Sequence, residues 1–168
     1  MQSRDFPADF RSDTVTLPSA AMREAMARAI VGDDVLDGDP SVKRLERFTA
    51  DWLGKEAALF VPSGTMANQV AMGSWTRPGD EVIVQRFAHV TTFEGGATGA
   101  LHGLQTMTVG DLSGSMVPSE VEECIRPEFI HCPRTALICM EQTHNMAGRR
   151  ISSMERVSAM SALAQKHG

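Results

Sequence analysis

Only three lysines occur in the 168 residues of this chain, Lys43, Lys55 and Lys166. None falls where covalent amine chemistry at the edge of a sheet would need one. Cysteine is equally sparse, with Cys124, Cys132 and Cys139 giving an odd number without metal-type spacing. Cys139 lies inside an apolar run, so reduced, non-catalytic thiols in a cytoplasmic setting are the expectation. No uncharged apolar run approaches the roughly 20 residues needed to cross a bilayer. The first 13 residues (MQSRDFPADFRSD) carry charge and lack the apolar stretch of a secretion signal. A net charge of −5, with 13 arginines scattered among acidic residues, argues against a basic face for nucleic acid. Neither a Gly-Lys-Ser/Thr phosphate loop nor a GxGxxG fingerprint is present.

What remains is a 42 % apolar chain long enough to build a core without disulfides or metals. After an arm over residues 1–17, Pro18 and Ser19 open a helix. Its apolar positions Met22, Ala25, Met26, Ala29 and Ile30 share one face, expected to be buried, and Gly32 ends it. A second helix has Asp39 as N-cap and Pro40 at its first position, and stops at Gly54. From there short apolar strands, at about 57–61, 81–85, 104–109 and 135–140, alternate with helices at about 65–76, 90–98, 118–125 and 152–167. Ser119 with Glu122 and Ser152 with Glu155 read as capping boxes. The alternation predicts an α/β fold, a mostly parallel sheet flanked by helices. Ending on a helix and Gly168, four such strands would leave an open edge, so residues 18–168 read as part of a domain completed elsewhere.

Candidate chemistry gathers at the carboxyl edge of this sheet, where open α/β folds bind ligands. The turn Pro62, Ser63, Gly64, Thr65 joins a strand to a helix and directs unsatisfied N–H groups outward, which suits a phosphate. Ser63 or Thr65 could equally be a plain helix cap. His89 follows the next strand at the same edge, placed to stack on a flat ligand or to move a proton. The run TALICM ends in Glu141, Gln142, Thr143, His144 and Asn145, polar residues expected in the same crevice. Gly95, Gly96 and Gly99 suggest close backbone packing, and His102, His131 and His167 read as surface residues.

Taken in order, residues 10–16 (FRSDTVT), 32–40 (GDDVLDGDP), 62–68 (PSGTMAN), 89–96 (HVTTFEGG) and 141–145 (EQTHN) resemble the low-specificity L-threonine aldolases. These are enzymes of the aspartate-aminotransferase-like fold type I that use pyridoxal 5′-phosphate. The resemblance implies that Ser63, Gly64 and Thr65 hold the cofactor phosphate, that His89 stacks on its ring, and that Ser12 helps hold the substrate carboxylate. It places His144 near the substrate hydroxyl, so that His144 or His89 is the base. It also implies a homo-oligomer, dimer or tetramer, acting on a small amino acid. Leu36 stands where a tyrosine is common in the family, and Gln142 where asparagine is usual. The family's Schiff-base lysine and ring-nitrogen aspartate would lie beyond Gly168, in the same or a second polypeptide. A β-eliminating lyase or aminotransferase on this scaffold, and an inert phosphate- or partner-binding piece, are the competing expectations.

Overall fold

Five consecutive residues with no appreciable solvent exposure, Glu81–Gln85, form the central strand β1 of a three-stranded parallel sheet. In a computed structural model that describes residue 9 and residues 12–168, β2 (Gln105–Val109) and β3 (Thr135–Cys139) pair on either side of it, in the order β2-β1-β3. Phe10 and Arg11 of the expected arm motif lie outside the described residues. The chain divides into two units, residues 1–60 and 61–168.

The second unit holds the sheet. Strand alternation sends Val82 and Val84 to one face and Ile83 to the other. Val82 and Val84 pack with Leu104 and with Met72 of α3 (Gly64–Trp75). On the opposite face Ile83 joins Val121 of α6 (Pro118–Cys124) and Met160 and Leu163 of α7 (Met154–His167). With both faces covered, β1 reads as continuous apolar sequence between two polar ends. Two short helices, α4 (His89–Thr92) and α5 (Ala97–His102), carry the chain from β1 to β2. The expected single helix over 90–98 is broken because Gly95 and Gly96 both take positive φ, 62° and 72°. These glycines make a turn; an added Cβ would meet nothing at either, so they do not serve close packing.

Ion pairs hold the amino edge of the sheet. Buried Asp80 accepts from Arg134 at 2.6 and 3.2 Å, and buried Glu81 accepts from Arg126 at 3.0 and 3.2 Å. The Arg134 guanidinium keeps the Asp80 carboxyl below the usual aspartate range. Burial pushes the Cys139 thiol up to about 11.

The first unit contains α1 (Ala20–Arg28) and α2 (Pro40–Leu53). Asp39 caps α2 through the N–H groups of Ser41 and Val42, Pro40 takes the first turn and Gly54 closes the helix in the left-handed region, all as the sequence suggests. Helix α1 stops at Arg28, four residues short of Gly32, and its apolar face is not buried: Met22 and Met26 are exposed.

Other expectations are also corrected. Residues 57–61 do not form a strand. No described segment pairs with them, Leu59 and Phe60 are exposed, and the Phe60 N–H is taken by Glu46 Oε1 at 2.8 Å. Among the described residues the sheet thus has three strands, not four. Ser119 is not a cap, because Pro118 already occupies the first turn of α6 behind Val117. In α7 the cap is Ser153, accepting from the Arg156 N–H, one residue later than the Ser152 box would require. Among the described residues no helix is long and apolar enough to cross a membrane.

Candidate functional site

Helix α3 leads directly into β1, and the contacts of its first turns bring its N-terminus to the carboxyl edge of the sheet. Ser63 is its N-cap: Oγ accepts from the Met66 N–H at 3.1 Å, while the Ser63 carbonyl accepts from Ala67. Among the described residues no acceptor takes the N–H groups of Gly64 and Thr65, which therefore form the mouth of the helix. A Cβ added at Gly64 would meet no atom within 4 Å. Space over the backbone, two available donors and the positive end of a 12-residue helix together suit a phosphate. The cap is formed by the Ser63 side chain, and the cradle reading would draw on different atoms of the same turn.

His89 begins α4 at the end of β1. The Ala88 cap offers no side-chain acceptor, and Glu141, just past β3, fills that place: its Oε2 accepts the His89 N–H at 2.7 Å and its Oε1 the Asn145 N–H at 2.8 Å. One carboxylate thereby ties the ends of β1 and β3 across the crevice. The His89 ring lies beside Phe93, with centroids 5.4 Å apart and planes at 49°.

The residue that sequence reasoning missed is Glu94. Its side chain is fully buried and accepts three hydrogen bonds, from Asn68 Nδ2 at 2.6 Å, Gln69 Nε2 at 2.8 Å and His89 Nδ1 at 2.9 Å. Burial pushes its carboxyl up, but the bonds from Gln69, His89 and Asn68 outweigh this and hold it below the usual glutamate range. An ionised carboxylate only accepts, so the proton between it and His89 belongs to Nδ1, which in a neutral ring would leave the lone pair on Nε2. Glu94 links the N-terminal half of α3 to the imidazole.

His144 is placed differently. It is 2 % exposed, and both ring nitrogens are engaged. The Ala147 N–H donates to Nδ1 at 3.3 Å, so Nε2 carries the proton and donates to Gln85 Oε1 at 2.8 Å. Gln85 in turn accepts from the Phe87 N–H and donates to the Asp111 carbonyl. Gly114 lies against this ring with φ of 72°, where a Cβ would stand 2.8 Å from His144 Cγ. Gln85 is a second residue the sequence reading passed over. A polar residue ending a buried strand is the same signal that drew attention to Glu141.

Ser12 belongs to the first unit, where its hydroxyl accepts from the Thr14 N–H at 3.2 Å and from the Thr14 hydroxyl at 2.9 Å. Gln142 exchanges hydrogen bonds with the Ser152 backbone. His102, expected at the surface, is half-buried, with Nε2 enclosed and its ring packed where a side chain on Gly73 would stand. Of the lysines, Lys43 donates to the Asp37 carbonyl and Lys166 pairs with Glu122 at 2.5 Å.

The beta-eliminating lyase family model matches residues 9–168. Low-specificity L-threonine aldolase 1 of Arabidopsis thaliana is 43 % identical over 164 residues, covering 95 % of this chain and 46 % of that protein. The low specificity L-threonine aldolase of Escherichia coli (strain K12) is 46 % identical over 138 residues, 82 % of this chain and 41 % of that protein. A solved threonine aldolase from Leishmania major shares the fold, with a TM-score of 0.73 at 24 % identity over 87 % of this chain and 43 % of that one. The chain thus spans less than half the length of the curated relatives it matches.

Proposed function

The chain belongs to the beta-eliminating lyase family, and on that premise we propose that it supplies the phosphate-binding and proton-handling part of a pyridoxal 5′-phosphate-dependent threonine aldolase. The observation that carries this reading is the bridge from Asn68 and Gln69 through Glu94 to His89, which sets a phosphate-suited helix mouth and an imidazole side by side on one sheet edge. Its likeness to threonine aldolases along most of its length supports the choice among family activities.

In this reading Gly64 and Thr65 hold the cofactor phosphate with their N–H groups, aided by the Thr65 hydroxyl and the free donor capacity of Ser63. His89 lies against the cofactor ring. The cofactor supplies a sink for the electron pair left on Cα when the Cα–Cβ bond of a β-hydroxy-α-amino acid breaks. Nε2 of His89, directly or through a water, takes the proton of the β-hydroxyl, whose oxygen becomes the aldehyde carbonyl. Returning a proton to Cα completes glycine, so threonine yields glycine and acetaldehyde. Of the two candidate bases, His89 is favoured because His144 has both ring nitrogens committed. His144 then serves the substrate side by fixing Gln85 and the turn after β3. Ser12 as a substrate-carboxylate ligand, a two-fold homo-oligomer in the cytoplasm, and a lysine and ring-nitrogen aspartate from sequence outside this chain complete the proposal. The greater length of the relatives supports the last element.

Product analysis tests it. Protein containing this chain together with its remaining sequence, given L-threonine and cofactor, should release glycine and acetaldehyde in equal amounts. Pyruvate and ammonia from other amino acids, with no glycine from threonine, would replace the aldolase by a β-eliminating activity.

A further inference from the structure

We propose that Glu94 is a positioning residue for His89: its carboxylate accepts the Nδ1 proton and so presents the Nε2 lone pair to the substrate. The role for Nε2 rests on the aldolase reading; the tautomer itself does not.

Glu94 is an unusual anion. It is fully buried, yet its partners are two neutral amides and an imidazole, with no lysine or arginine among them. Burying a carboxylate without a countercharge is costly, and three N–H donors offset that cost only while it remains ionised. Protonating it would turn an O–H towards the two amide N–H donors, or require His89 to shift its own proton to Nε2 and accept at Nδ1. The arrangement therefore favours one state, an acceptor pointed at Nδ1.

The backbone of His89 is pinned independently, through the Glu141 carboxylate on its N–H at 2.7 Å. With the main chain already placed, Glu94 is left to set the rotation and protonation pattern of the ring. It does so from the turn at Gly95 and Gly96, held to the first two turns of α3 by Asn68 and Gln69. Cofactor phosphate and imidazole would consequently keep a constant separation. A general base needs its lone pair on the nitrogen that faces the proton, and a ring held in the other tautomer would present N–H there.

The test reads the ring of His89 directly. In the cofactor-free 168-residue chain labelled with ¹⁵N-histidine, long-range ¹H–¹⁵N correlation spectra above the imidazole titration should show His89 protonated at Nδ1 and bare at Nε2. Glu94→Leu, which removes the acceptor, should shift His89 to a mixture or to the Nε2–H form. Glu94→Gln, whose carbonyl can still accept, should restore the Nδ1–H form, and Asn68→Ala, which removes one of the two links to α3 but leaves the carboxylate, should keep it. In the catalytically complete protein, Glu94→Leu should lower kcat about 100-fold with little change in KM, within the range ordinary for proton transfer, and Glu94→Gln should recover most of it.

A wild-type His89 found as Nε2–H overturns the proposal, even if Glu94→Leu does not fold. So does a folded Glu94→Leu that keeps the Nδ1–H form. Failure of the aldolase reading is separate and shows in the products formed, whatever the tautomer.

Discussion

The Nδ1 atom of His89 lies 2.9 Å from a carboxylate oxygen of Glu94, and the same oxygen accepts from Asn68 in the second turn of α3 at 2.6 Å. This shared oxygen joins the two parts of the candidate site, and several measurable consequences follow from how that site is built.

Gly64→Val separates folding from ligand binding. The added side chain starts in open space, so stability should change by no more than the modest helix-propensity difference, well under about 1 kcal/mol. Cofactor binding should fail because the same space is where the phosphate would sit. Thermal melts with and without pyridoxal 5′-phosphate check both halves: equal melting of the free proteins, and stabilisation by cofactor only in the parent.

Thr65→Ala removes a hydroxyl from the mouth of the helix but leaves its N–H groups. Losing one hydrogen bond to a charged phosphate, about 1.5–3 kcal/mol, should weaken cofactor affinity roughly 10- to 150-fold. Occupancy unchanged after dialysis would remove Thr65 from the cradle.

His144→Phe tests the buried node at the other side of the crevice. The substitution removes one of the two donors to the Gln85 carbonyl, strands the Ala147 N–H and forces a larger ring against Gly114, so destabilisation of about 2–4 kcal/mol is expected in urea unfolding. A variant as stable as the parent would mean that the ring is not held as described.

Acid should loosen the second unit through two carboxylates. Asp80 and Glu94 are both held below their ordinary values of 3.8 and 4.5, so each contributes stability above those values and loses it as pH falls through the lowered folded ones. Urea midpoints should therefore drop as pH is taken below 4.5, and Asp80→Asn should flatten part of that dependence. A pH-independent midpoint across this range would contradict the bonding assigned to both groups.

Much of this was legible in the sequence, and the reasons differ by element. Strand β1 stood out because a strand covered on both faces is written as an apolar run between polar ends, half-buried β3 because of its run from Ala136 to Cys139, and largely exposed β2 because Met107 and Val109 alternate with polar residues. Helix α2 was visible to the residue, since Asp39, Pro40 and Gly54 each answer a local backbone need. Residues 57–61 look equally strand-like, but a strand exists only with a neighbour to bond, and pairing is not a property of the segment itself. His89 and Glu141 were found from their position after buried strands. Glu94 was not, because it stands five residues after His89, off the spacing of helical partners, and nothing in the sequence marks a charged side chain that will be fully buried.

The central claim, that the mouth of α3 is a phosphate site and not merely a capped helix end, is tested most directly by comparing two ligands that differ only in phosphate. Titration calorimetry of the 168-residue chain should show pyridoxal 5′-phosphate binding at least about 100-fold more tightly than pyridoxal, the difference expected for two or more charge-assisted hydrogen bonds. Equal affinity for the two ligands would contradict the account and return the turn at Ser63, Gly64 and Thr65 to a structural cap.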